Sequence, residues 1–136
     1  MIFSLRVGKH LKILFIHEEP SLRSFIQRIL EPAGYEVIHA RSFNEGYSKA
    51  IEYKPQIVIA DNILSSKPGI LLCQEIQRTE GLEATEFLLL NDYDGESKDT
   101  YGIRLKGVIK KPNLLPELRN YFPKINQKIS QATPAQ

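Results

Sequence analysis

Pro55-Gln56-Ile57-Val58-Ile59-Ala60-Asp61 sets three β-branched residues and an alanine in a row and then stops at a carboxylate. An apolar run without alternation is what a strand needs when both faces of its sheet are covered, as they are in a parallel sheet. The run reads as a central strand over 56–60 with Asp61 standing immediately after it. The flanking sequence decides whether the sheet around it is doubly wound.

Towards the N-terminus, Lys12-Ile-Leu-Phe-Ile16 is a second compact apolar run, cut off by His17-Glu18-Glu19-Pro20. From Ser21 onward Leu22, Phe25, Ile26, Ile29 and Leu30 recur at helical spacing until Pro32 and Gly34 stop them. A strand over 35–40 follows. Ser42-Phe43-Asn44-Glu45 then has the form of a capping box, in which serine and a glutamate three residues on satisfy each other's free backbone donors. It predicts a helix running to about Tyr53.

Beyond Asp61 a helix is expected from Gly69, with Ile70, Cys73 and Ile76 on one face, then a fourth strand over 87–90. The polar stretch 91–100 leads to a short or frayed fourth helix, and Gly107-Val-Ile109 makes a fifth strand. A last helix begins around Leu115-Pro116, where proline is tolerated in a first turn, and Pro123 ends or kinks it. Five strands alternating with helices imply one flavodoxin-like α/β domain, a doubly wound parallel sheet of order 2-1-3-4-5 with helices on both faces. In that order the carboxyl ends of the strands bring His17, Glu18 and Glu19 beside Asp61, with Asn91 and Lys111 closing the ring.

Composition narrows the function classes. The chain has 136 residues, enough for one domain with a real core, and Lys plus Arg outnumber Asp plus Glu by 18 to 16. So slight an excess gives no field that would favour nucleic acid or an anionic membrane. The longest apolar runs fall far short of the roughly 20 residues that cross a bilayer. Cys73, the single cysteine, excludes an internal disulfide framework and a cysteine-based zinc site, and suits a reducing cytoplasm. Neither a Gly-rich phosphate loop after the first strand nor a helix-turn-helix is present, which argues against a flavodoxin-like enzyme and against DNA binding within this chain.

Four segments carry a resemblance to the receiver domains of two-component response regulators, a CheY-like fold: Ile13-Leu-Phe-Ile-His-Glu-Glu-Pro20, Pro55-Gln-Ile-Val-Ile-Ala-Asp61, Pro68-Gly69 and Ile109-Lys-Lys-Pro112. The resemblance covers roughly 12–122. It implies that Asp61 accepts a phosphoryl group from a histidine kinase or phosphotransfer protein, and that Lys111, followed by Pro112, contacts the phosphoryl oxygens. It places His17 and Glu18 where the family carries an acidic pair for Mg²⁺, Asn91 where it carries a hydroxyl residue, and Val108 where it carries an aromatic switch residue. The domain organisation it implies is an N-terminal arm over 1–11, a receiver-like domain over 12–126 and a flexible tail or linker over 127–136. The readout would go to an output domain or partner protein.

The departures have chemical consequences. Mg²⁺ asks for hard oxygen ligands in close octahedral geometry, and imidazole matches it poorly; a histidine in the shell tilts preference towards Mn²⁺ or Zn²⁺. Asn91 keeps a donor for a phosphoryl oxygen but is larger than threonine. Val108 has no ring to swing. These substitutions leave a second reading open, a phosphorylation-independent pseudo-receiver that keeps the fold as a docking surface. On their own, Asp61 also reads as a strand-end cap, Glu18 and Glu19 as loop solvation, His17 as a neutral loop histidine and Gly69 as a helix-start requirement.

Overall fold

The computed structural model describes residues 11–65, 67–92 and 102–126. Residues 1–10 of the expected N-terminal arm over 1–11, the fourth helix in the 94–100 stretch and the tail over 127–136 lie outside the described residues. Along the chain run β1 (Lys12–Ile16), α1 (Pro20–Leu30), β2 (Glu36–Ala40), α2 (Phe43–Tyr53), β3 (Ile57–Asp61), β4 (Ile63–Leu64), β5 (Lys67–Pro68), α3 (Gly69–Gln77), β6 (Glu86–Asn91), β7 (Leu105–Lys110), a 3₁₀ turn (Lys111–Asn113) and α4 (Leu114–Tyr121).

Five strands form one sheet of order β2-β1-β3-β6-β7, every neighbouring pair parallel. This is the doubly wound arrangement expected from the alternation of runs, β6 and β7 being the fourth and fifth strands of the sequence reading. All five residues of β3 are buried, as are Ile13 to Ile16 of β1. The two-residue period of a strand then divides the core. Leu14, Ile16, Val58, Ala60, Phe87 and Leu89 face one way and pack with Ala50 of α2 and Leu72, Cys73 and Ile76 of α3. Ile13, Phe15, Ile57, Ile59, Leu88, Leu90 and Ile109 face the other way, against Ile26 and Leu30 of α1 and Leu118 of α4. Each fully buried Leu or Ile contributes about 1.5–3 kcal/mol, so the β1–β3 pair is a firm base for what stands on its end.

Local devices place the strand ends. Ser42 caps α2 by accepting from the Glu45 N–H, as the capping box requires, but the Glu45 carboxylate accepts from the Arg41 N–H rather than from Ser42 itself. At the β6–β7 pairing the register shifts between Phe87 and Leu88, so Leu105 pairs with Phe87 and Gly107 with Leu88. The intervening Lys106 is a bulge residue, exposed and 3.7 Å from Glu86.

The short antiparallel pair β4–β5, which the sequence reading does not anticipate, folds the chain back directly after Asp61. Gly69 closes that corner. A Cβ there would lie 1.9 Å from the Asp61 carbonyl oxygen, and the Gly69 N–H donates to the Asn62 carbonyl at 2.7 Å. Its requirement is the close approach of α3 to the backbone carrying Asp61, beyond any need of a helix start.

Candidate functional site

Asp61 is the last residue of β3, one place inside the strand rather than after it, and pairs in register with Leu90. Pairing fixes its backbone, and the residue is 8% exposed. Its two carboxylate oxygens have different surroundings. Oδ1 accepts from the Lys111 ammonium at 2.9 Å and from the Asn62 N–H at 2.9 Å, a donor that Asn62 shares with the Leu90 carbonyl. Oδ2 faces His17 Nε2 at 3.4 Å.

Lys111 arrives from the 3₁₀ turn that follows β7, where Pro112 is compatible with the first turn and frees the chain from the sheet. Its ammonium bridges Asp61 and Asp92, each at 2.9 Å. Burial works against the charge, but the hydrogen bonds to Asp92 and Asp61 outweigh it and hold the pKa above the usual lysine value. Lys110 is exposed, and its N–H donates to Glu117 at the start of α4. The second lysine of the pair is therefore the one turned to the site.

His17 lies in the loop just past the end of β1 and is buried, at 4% exposed. Its N–H donates to the Ala40 carbonyl at 3.0 Å, its carbonyl accepts from Arg23 at 2.7 Å, and its ring stacks on Phe15 with centroids 5.9 Å apart and planes 7° apart. The Glu19 N–H donates to Nδ1 at 3.0 Å, which puts the proton of the neutral ring on Nε2. Burial lowers the His17 pKa more than the nearby Asp61 carboxylate raises it, and Lys111 lowers it further. Although Nε2 is buried near Oδ2, it makes no hydrogen bond to any described residue.

Glu18 does not join this group. Its exposed carboxylate accepts from the hydroxyl of Ser65, which sits in the left-handed region at φ 49° in the corner between β4 and β5. Asn91, the last residue of β6, presents its Oδ1 to the Asn62 amide at 3.3 Å and to the Asp92 N–H at 3.0 Å. Val108, on β7, pairs with Leu89 of β6 and is half-buried. Asn62 and Asp92, neither picked out as a site residue from sequence, thus organise the site. Their signal was adjacency to Asp61 and Asn91 at strand ends.

A divalent cation does not fit the side chains as they stand. Among the described residues no three His, Cys, Asp or Glu side chains gather closely enough to hold one. The ring nitrogen nearest the carboxylate carries a proton in the neutral tautomer, one Asp61 oxygen is taken by Lys111 and Asn62, and Glu18 is engaged elsewhere. The arrangement offers instead one carboxylate whose Oδ1 is held by an ammonium and a backbone N–H and whose Oδ2 faces an imidazole N–H.

An aspartate and a lysine meeting at the carboxyl edge of a five-stranded β2-β1-β3-β6-β7 sheet define the receiver class of fold. Residues 13–122 match the model of the response regulator receiver domain, and the chain belongs to that family. It is similar to the alkaline phosphatase synthesis transcriptional regulatory protein PhoP of Bacillus subtilis, 31% identical over 94 residues that make up 69% of this chain and 38% of that protein. It is also similar to the phosphate regulon transcriptional regulatory protein PhoB of Pseudomonas aeruginosa, 27% identical over 73% of this chain and 42% of that protein. The chain thus spans about two fifths of the length of these curated relatives.

Among solved structures, the chemotaxis response regulator CheY4 of Vibrio cholerae superposes with a TM-score of 0.75 at 22% identity, covering 85% of this chain and 98% of that one. The receiver domain of the sensor histidine kinase PA1611 of Pseudomonas aeruginosa, with a magnesium ion coordinated in its active site cleft, does so with a TM-score of 0.71 at 18% identity, covering 86% and 98%. No helix among the described residues is long and apolar enough to cross a membrane.

Proposed function

We propose that this receiver domain is a phosphoacceptor in which Asp61 takes a phosphoryl group from a histidine kinase or phosphotransfer protein. The observation that carries this reading is the division of labour on one carboxylate: Oδ1 is held by Lys111 and the Asn62 N–H, while Oδ2 faces only the His17 imidazole, at 3.4 Å, among the contacts of the described residues. Oδ2 is then the nucleophile. It attacks the phosphorus of a phosphohistidine, the P–N bond breaks with its electron pair going to the donor's ring nitrogen, and that ring's other, protonated nitrogen leaves it neutral. Lys111 stabilises charge on the transferred oxygens, as electrostatic positioning does in phosphoryl transfer generally.

The domain acts as a signalling module rather than a metabolic enzyme, in a reducing cytoplasm that suits a buried thiol whose pKa burial raises to about 12. Its output goes through an attached domain or a separate partner. Relatives of both kinds, transcriptional regulators and a chemotaxis regulator, support that range. Val108 cannot supply a swinging ring, so the readout would use other contacts of β7 and α4. A docking role independent of phosphorylation has no observation of its own in its favour.

Intact-mass measurement after incubation with acetyl phosphate and Mg²⁺ or Mn²⁺ tests the reading. One added phosphoryl mass on the wild type, and none on Asp61→Asn, is the expected result. A wild type that stays unmodified with either metal at millimolar donor would overturn it.

A further inference from the structure

The His17 ring is held more firmly than a residue without a task requires. Its backbone is tied to β2 and to Arg23, its face lies on Phe15, and its Nδ1 is occupied by the Glu19 N–H, yet the Nε2–H facing Asp61 has no hydrogen-bond partner among the described residues. A buried donor left unpaired destabilises a fold, and such a group calls for a ligand or a role. The 3.4 Å separation from Oδ2 is too long for a good hydrogen bond to the carboxylate itself. The donor is therefore still available to the oxygens of a phosphoryl group bonded to Oδ2.

We propose that phosphoryl transfer to Asp61 needs no divalent cation, because the His17 Nε2–H and the Lys111 ammonium together hold the phosphoryl oxygens from opposite sides. The proposal rests on Asp61 being the phosphoacceptor. It accounts for two facts at once: among the described residues the side chains do not assemble a metal site, and the orphaned donor lies beside the place where charge accumulates. With acetyl phosphate the step balances without a proton. Oδ2 forms the new P–O bond, the bond from phosphorus to the acetyl oxygen breaks, acetate leaves with the electron pair, and the dianionic phosphoryl group rests between the imidazole and the ammonium. The neutral imidazole contributes a fixed N–H dipole, already oriented before the donor arrives, so no reorganisation is needed at the moment of reaction.

The experiment follows acetyl phosphate labelling by intact mass in parallel with Mg²⁺ and with EDTA. The wild type should label in EDTA at a rate within about twofold of that with Mg²⁺, and His17→Phe should label about 100-fold more slowly in both, the loss typical of removing one preorganised donor. His17→Asp should need Mg²⁺. If a variant fails to fold by circular dichroism, the wild type still decides: in EDTA, labelling should move the imidazole Nε2–H signal of His17 downfield in ¹⁵N-edited NMR. Labelling with Mg²⁺ but none in EDTA overturns this inference and leaves the Asp61 reading standing. Absence of labelling in both overturns the two together. Equal labelling of wild type and folded His17→Phe, or an unmoved imidazole signal, removes His17 from the site.

Discussion

On the β7 side of Asp61 the partner is a charge, and on the β1 side it is a buried ring. Lys111 keeps 24% of its side chain exposed and divides its ammonium between Asp61 and Asp92, the latter 67% exposed. Its contact is therefore ionic, partly hydrated and screened by salt. His17 is 6% exposed along its side chain, is stacked on Phe15 and is fixed in one tautomer by a backbone donor. The lysine side can yield and re-form as solvent and ligands change, whereas the imidazole side is set when the core packs. One carboxylate is thus approached by an adaptable cation and by a preorganised dipole, two different solutions to the same electrostatic problem.

The change expected to disturb both sides most is Gly69→Ala, because the new Cβ would meet the Asp61 carbonyl oxygen at 1.9 Å and move the backbone to which both partners are fitted. It should lower stability by about 3 kcal/mol, the upper end of overpacking costs, as a shift in the urea midpoint at unchanged slope. Phosphoryl labelling should fall with it. A midpoint within error of wild type would mean that the corner relaxes without cost.

Lys111→Met separates the sides. Removing the cation while leaving the imidazole in place should slow acetyl phosphate labelling by about 100-fold. The fold should remain intact, because the ammonium contributes little to packing. A loss of less than about threefold would show that the ring side alone suffices.

Asp92→Asn tests whether sharing weakens the lysine side. The Asp92–Lys111 pair is exposed, so its loss should change stability by under about 1 kcal/mol in a denaturation experiment. Because Lys111 would then answer to Asp61 alone, labelling should become more sensitive to salt. Identical salt dependence in the variant and wild type would show that Asp92 does not compete.

The smallest effect is a difference in pH response. Folded His17 has its pKa lowered from 6.5, mainly by burial, and His39 likewise, so near and below that value the unfolded chain binds more protons than the folded one. Their neutral forms favour the fold above pH 6.5, and stability should decline as pH falls through 6.5 towards the lowered folded values. Lys111 has its pKa raised from 10.5, so its contribution is present below that value and is lost only as pH rises through the folded pKa. Urea unfolding at about pH 7.5 and 5.5 should show the acid-side decline, and His39→Gln should flatten part of it. A flat profile in that window would mean that neither ring resists protonation.

Burial periodicity made the sheet legible in advance. The runs at 12–16, 56–60 and 87–90 carry their strand identity in consecutive residues, and Asp61 and the Lys111-Pro112 pair stand at run ends where chain order alone brings them to one edge. The capping serine was equally local, a matter of three residues. The second half of that capping box is not formed, because the glutamate carboxylate accepts from the Arg41 N–H instead. The burial of the loop histidine His17 was not legible for a related reason: its sequence neighbours are acidic and polar, and nothing local says that its ring will stack on Phe15 beside Asp61.

The sequence by itself determined the order of the five sheet strands, the parallel sheet and the meeting of Asp61 with Lys111, because each follows from apolar spacing along the chain and from the fixed geometry of a doubly wound sheet. The tertiary structure alone decided what each polar group near Asp61 does. Glu18 turns to Ser65, 47 residues away, and Asn62 reaches Asn91 across 29. The Nε2 proton faces Asp61 because a backbone amide fills Nδ1, and Lys111 divides itself with Asp92. Hydrogen bonds are directional over a few ångströms, so their partners are chosen only after packing has fixed where every donor and acceptor stands.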